Sequence, residues 1–506
     1  MGAATSRSFA SYPTELVVYV LTLLDAEDLL DCRLICKRFQ ELIDFEVKLQ
    51  YKIALFEACQ EDCPSSSLGT SAKLETLRAH QKAWSTLDWS DSREFERADD
   101  EGRLRLSGNL LTNINDAGTH IRFRQLPSAI RGIPWKEWTL TDFGLQDFEY
   151  FVNASQDLLV LMERPTEGRT HRIYLRKASD GLDHPSATLT TLVHTTTGFY
   201  TDPIQNWDYI PSMEGPILGI KIEGDLEIEF VFWNWHTGEK KLHKEMGGFV
   251  RHLILDEQHV MFAWFTLGDS GCYLNIHELS ATNLDNVESH ASDVDSYYRC
   301  ALEFPETHDL TRLTNIDFAH STDSSMAYHS DTGVMVHPPF SANHGHDSIV
   351  LDLDRERGNL ALVIPCTTFY KALDAVRASS RSRLDIPWEQ WGPRGAFYSK
   401  PPAQWTSICT FGTRCLWLDC DTGTIELVDF NPYAARRSQH TQPSDREAAA
   451  RDAMFFHDMV AESIPNRAHH RLISSPDRMD WGGTGVLMGE DSIVILDNDT
   501  FRLLTF

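Results

Sequence analysis

A bound cation or a general acid needs imidazole, thiolate or carboxylate groups held together, and one short stretch supplies three of them. "HGHD" at 344–347 offers His344, His346 and Asp347, all residue types that can ligate zinc. No further ligand is tied to them by spacing, so neither a metal nor a cofactor is expected. His469 and His470 are adjacent and point apart in any regular structure. Arg377, Arg381 and Arg383 cluster in one segment. Converging arginines can hold a phosphorylated peptide, and an exposed charged helix end explains them equally. Gly-rich phosphate loops, a G-x-S-x-G elbow and an H-E-x-x-H pair are absent. The ten cysteines fall singly, and Cys59 and Cys63 have neither zinc-finger nor redox spacing. With no secretory leader pattern, they read as reduced thiols.

The elements that must carry any site come in two textures. At 506 residues the chain exceeds one ordinary core, and 42% hydrophobic content with 13 Trp supplies material for more than one. The formal net charge is −28, from 74 acidic and 46 basic side chains. A surface this acidic repels phosphate backbones and anionic lipid, so no nucleic-acid partner is expected. No apolar run approaches the roughly 18 residues of a spanning helix. "MGAATS" fits the acylation pattern with Gly2 as acceptor, but Arg7 is the one nearby basic residue and a lone acyl chain anchors weakly. Stable membrane insertion is therefore not expected, and the location implied is cytoplasmic, nuclear or both.

The helical texture comes first. Pro13 suits a first helical turn, and Glu15 complements the positive end of the helix dipole. Leu16, Val20, Leu23 and Leu24 recur at helical spacing. Asp25 can cap a second helix carrying Leu29, Leu30, Leu34 and Ile35. Cys36, Phe39, Leu42 and Ile43 mark a third. Some forty residues cannot bury all of this among themselves, so part of the stripe needs another surface. The stretch "YPTELVVYVLTLLDAEDLLDCRLICKRFQELID" resembles an F-box, on Pro13, Glu15, the first-helix stripe and the DLL…R.ICKRF..LI element. It departs at Tyr12, where the family usually has Leu. The resemblance implies docking on a Skp-type adaptor and, through it, a cullin–RING ubiquitin ligase. Pro13, Leu16, Val20, Leu24, Leu29, Leu30, Leu34, Ile35 and Phe39 would hold the adaptor.

Residues 51–89 continue in helical style around a "CPSSSLGTS" break and read as a linker. After Trp89 short apolar runs alternate with Asp, Asn, Thr and Gly, which is the signature of strands and turns. The clearest hairpins turn at His236–Gly238 and Asp421–Gly423, with weaker ones near Gly118, Gly181, Asn283–Asp285, Gly358 and Asn498. Seven such units in series predict a β-propeller of about seven blades, in which radial closure protects sheet edges. A long sandwich or two separate β domains would also give hairpins. "TFRLLTF" at the end reads as the strand that completes the ring.

The IPW-x-x-W stretches, with Trp135, Trp138, Trp388 and Trp391, predict aromatic staples holding loops onto the propeller. The second is similar to one recurring in fungal F-box proteins. The expected fold is α+β multidomain. It comprises a flexible 1–10, a three-helix F-box at 11–50, a helical linker at 51–89, and an all-β propeller at 90–506 with a long loop insertion around 433–480. The implied function is the substrate-recognition subunit of an SCF-type (cullin–RING) ubiquitin ligase, itself non-catalytic, with an unknown protein target. A propeller scaffold bound to the adaptor without a degradation role, and a propeller enzyme with channel carboxylates, are the alternatives.

Overall fold

Strands of this chain bury one face or both according to their place in a ring of stacked sheets. Thr170–Lys177 alternates, sending His171, Ile173 and Leu175 inward, whereas Leu158–Glu163 and Ile217–Glu223 are buried on both faces between neighbouring sheets. The computed structural model describes residues 12–97, 102–166, 168–197, 206–225, 227–247, 249–265, 272–279, 298–304, 313–319, 328–329, 335–355, 360–379, 383–399, 405–419, 424–431, 469–473, 485–497 and 499–506. Gly2, Arg381 and the turns at Asn283–Asp285, Gly358, Asp421–Gly423 and Asn498 lie outside them.

Five helices lead: α1 Thr14–Leu23, α2 Ala26–Ile35, α3 Lys37–Phe45, α4 Val47–Glu57 and α5 Thr70–Thr86. A β-propeller follows. Its antiparallel four-stranded sheets span 105–141, 148–195, 208–245, 313–399 and 405–473. In the closing sheet Asp91–Glu96 pairs with Thr500–Thr505, the third of three C-terminal strands. This joins the ring's first strand to its last, so the terminal strand does complete the ring. Among the described residues the regular four-stranded sheets number six, against the about seven blades expected. A further sheet, spanning 249–303, takes Leu384–Ile386 as a fifth, parallel strand, because an insertion returns across its edge. That insertion carries α6 Cys366–Ala378 and α7 Trp388–Gly395.

Two further expectations change. The linker is not wholly helical: Gln60–Asp62 is a short strand paired antiparallel with Phe340–Ala342 of the propeller. The stretch around 433–480 includes the strand His469–Ile473, which pairs with Thr424–Asp429. The rest of it, from 433 to 468 and from 474 to 480, lies outside the described residues. The loose spacing of hairpins has a simple cause. Gly118 turns between the second and third strands of its sheet, Gly181 and Gly238 between the third and fourth. All three have positive φ, which glycine adopts without strain.

The helical part is fastened to the propeller by a buried polar joint. Helix α5 sinks Leu74, Leu77, His80 and Trp84. Trp84 stacks on Phe506 at 4.0 Å between ring centroids, and the Arg414 guanidinium lies 4.4 Å from its ring. His80 Nε2 is 3.0 Å from Asp491 Oδ1. Arg131, fully enclosed, donates from Nε to Asp491 Oδ2 at 2.8 Å and from Nη1 to the Phe340 carbonyl at 2.9 Å. Its Nη2 lies 2.9 Å from Glu490 Oε2. Burial opposes the charge of Asp491, yet Arg131 and His80 hold its carboxyl below the usual range. Around this network Asn431 donates to the Glu57 carbonyl at 2.9 Å, and Lys73 Nζ bonds Asp62 at 2.7 Å. Removing one partner of such a set strands a buried charge. Arg131→Met is expected to destabilise the chain by about 3–5 kcal/mol in chemical denaturation; a loss under about 1 kcal/mol would show that the joint does not depend on it.

Candidate adaptor-docking face of the helical module

Helices α1–α4 have a small core of their own. Val17 and Leu21 of α1, Leu29 of α2, Phe39 and Ile43 of α3, and Leu49 and Ile53 of α4 pack together. Asp25 caps α2, its Oδ1 accepting from the Asp28 N–H at 2.7 Å. Lys52 on α4 reaches back to the last carbonyls of α1, bonding Thr22 O at 3.2 Å and also Leu24 O. A cation there complements the negative end of the helix dipole. Arg38 donates to the Tyr12 carbonyl at 2.7 Å. Arg33 bonds Asp44 at 2.6 Å, which raises the guanidinium pKa and ties α2 to α3. Burial, followed by Asp28 and Asp31, pushes the Cys32 thiol up, so that side chain stays protonated and behaves as a small apolar group.

With the interior filled by these residues, other apolar side chains remain outside. Leu16, Val20 and Leu23 of α1 recur at helical spacing on the outer face, with Tyr19 beside them; Leu23 is 69% exposed. At the end of α2, Leu34 is 82% and Ile35 67% exposed, and Phe45 closes α3 at 83%. Several exposed apolar side chains on one short module are unusual for a surface with no partner. The residues singled out by sequence therefore divide. Pro13, Leu16, Val20, Leu34 and Ile35 are exposed; Leu24 and Leu30 are half-buried; Leu29 and Phe39 lie in the module's own core. Leu29 and Phe39 can shape the docking face without touching what docks. Leu23, part of the α1 stripe but not among the expected adaptor contacts, belongs to the exposed set, as do Tyr19 and Phe45, which the sequence did not single out. For Tyr19 and Leu23 the signal was helical phase on α1, off the face that carries Val17 and Leu21.

The other sequence candidates resolve into structural roles. His344 Nδ1 is 2.9 Å from Asp347 Oδ2. Burial opposes the imidazolium, but the bond to Asp347 raises the His344 pKa to about 9. His346 does not join them in a ligand cluster; burial lowers its pKa. Arg377 pairs with Asp374 and Arg383 with Asp385, at 3.1 and 3.7 Å. Trp388 and Trp391 pack at 4.7 Å on α7, where Trp391 Nε1 donates to Glu303 O at 2.9 Å. Trp138 stacks on Phe123 and donates to the Ala178 carbonyl. These tryptophans do staple, from a helix and a strand rather than from loops.

Among the described residues, one group with metal-ligand geometry escaped the sequence reading: His194, Glu229 and His243. They lie on three different strands, far apart in the chain, so no local motif announces them.

Residues 9–51 match the model of the F-box-like family. This segment is an F-box-like domain, followed in the same chain by a β-propeller. No curated protein matches the chain. Among solved structures it is similar to Kluyveromyces lactis Hsv2 at 8% identity, covering 79% of this chain and 91% of that one with a TM-score of 0.37. It is also similar to the WD40 domain of SCAP from fission yeast at 9% identity, covering 82% and 98%, TM-score 0.33. Kuenenia stuttgartiensis hydrazine synthase gives 9% identity, 81% and 97%, and 0.38. Scores this low carry no statement about function.

The split between core and exposed leucines is testable on the protein alone. Leu34→Asp should leave stability within about 0.5 kcal/mol of the parent, as surface changes do. Leu29→Asp buries a carboxylate and should melt the helical module first, seen as lost far-UV helical signal on heating. Equal effects of the two substitutions would contradict the placement of these side chains.

Proposed function

We propose that this protein is the substrate-recognition subunit of an SCF-type ubiquitin ligase. The observation that carries the reading is the apolar face left outside α1–α3 in the segment that matches the F-box-like family. In this reading residues 11–50 dock a Skp-type adaptor and, through it, a cullin–RING assembly. Leu16, Val20, Leu34 and Ile35 make direct contact, Pro13, Leu24 and Leu30 border them, and Leu29 and Phe39 act from inside. Residues 51–89 set the distance, and 90–506, including the insertion around 433–480, recognise a protein target. The chain contributes no catalytic side chain. It raises the local concentration of a target lysine near a conjugating enzyme, which is catalysis by proximity. A cytoplasmic or nuclear location and a place among fungal F-box proteins, suggested by the IPW-x-x-W stretch at 386–391, belong to the same proposal.

Co-expression with a Skp-type adaptor tests it. The parent chain should co-purify with the adaptor, and Leu16→Asp with Leu34→Asp should abolish the complex while the chain stays folded. A parent chain that elutes alone beside excess adaptor would overturn the reading.

A further inference from the structure

Between the sheets spanning 148–195 and 208–245, three ligand-type side chains converge at the edge away from the ring's centre. His194 lies on Thr191–Thr195, the edge strand of the first sheet; Glu229 lies on Ile228–Asn234 and His243 on Glu239–Glu245 of the second. Nε2 of His194 and Nε2 of His243 stand 2.7 and 2.8 Å from one oxygen, Oε2 of Glu229. The other oxygen, Oε1, accepts from the Thr197 backbone N–H at 2.7 Å and from its hydroxyl at 3.3 Å. The carboxylate is thus held by one oxygen and presents the other to both imidazoles, as outer-shell bonds orient a metal-binding carboxylate. His194 and Glu229 are buried, whereas His243 is half-buried, which leaves one side open to a water ligand.

Charge points the same way. Glu245 lies directly opposite Glu229 in the strand ladder, a like-charge pairing that is unfavourable unless a cation offsets it. The Thr197 hydroxyl reaches both carboxylates, and its single proton serves one at a time. The nearby cation, Lys240, has its Nζ 3.1 Å from Nδ1 of His194, on the far side of that ring from Glu229.

We propose that His194, Glu229 and His243 bind a divalent cation of the zinc class, which staples these two neighbouring sheets of the propeller. Two imidazoles and a carboxylate with a water in the fourth position form a known zinc ligand set. This inference is independent of the adaptor reading and departs from the expectation of no metal drawn from spacing alone.

The test uses the full chain stripped with a chelator and titrated with zinc chloride by calorimetry, alongside thermal melts with and without zinc. The parent should take up zinc at this site and melt at higher temperature with it, since a ligand of the folded state stabilises that state. His243→Ala, at the half-buried ligand, should lose the zinc-induced rise in melting point and weaken zinc binding by roughly tenfold or more. Glu229→Gln keeps the side-chain volume, removes the charge and should show the same loss. Lys240→Met removes a competing cation and should tighten binding severalfold. The chain has 21 His, so uptake that neither His243→Ala nor Glu229→Gln changes belongs elsewhere and overturns the proposal. A parent whose melting point ignores zinc overturns it too.

Discussion

The structure turns on one buried cation. Arg131 sits between Glu490 and Asp491, with His80 of α5 on the far side of the same aspartate. Each partner comes from a different part of the chain: α5, the loop after His120–Gln125, and the turn between the last sheet's first two C-terminal strands. Charges this deep are tolerated only when paired and hydrogen-bonded. Any tilt of α5 that separated His80 from Asp491 would expose an unmet electrostatic cost. The strand Gln60–Asp62 adds main-chain hydrogen bonds to Phe340–Ala342, and the Phe340 carbonyl is itself a ligand of Arg131. The joint and the ring closure are therefore one structure, since Trp84 also stacks on the terminal Phe506.

This constraint gives the helical module its meaning. The residues that face inward, Val17, Leu21, Leu29, Phe39 and Ile43, leave Leu16, Leu23, Leu34 and Ile35 outside. A module tied to a rigid propeller presents those side chains in a fixed direction relative to whatever the propeller holds. A receptor that works by proximity needs that geometry, because the effective concentration of two tethered groups depends on the stiffness of their connection.

Much of this was legible in the residues. Capping by Asp25, the third-helix start after Cys36 and the strand–turn alternation after Trp89 are local signals, and local signals survive in a single sequence. Helix faces were harder. Leu29 and Leu34 are the same residue type on opposite faces of α2, and the packing of α1, α3 and α4 decides that one is enclosed and the other bare. The joint was not legible, because His80, Arg131 and Asp491 are brought together by ring closure. The same holds for His194, Glu229 and His243, whose proximity comes from strands of two sheets stacking. The hairpin count suggested a regular ring, and it missed the fifth strand, Leu384–Ile386, because a parallel partner arrives through a long insertion instead of a turn.

The F-box-like module and the propeller form one rigid body, joined where His80 of α5 meets Asp491, whose carboxylate Arg131 holds in place. Pulsed dipolar spectroscopy between spin labels carried on unnatural amino acids at Lys37 of α3 and Thr237 of the propeller, both exposed positions, tests it most directly. One narrow distance distribution is expected. A broad or two-peaked distribution in the unmodified joint would contradict it.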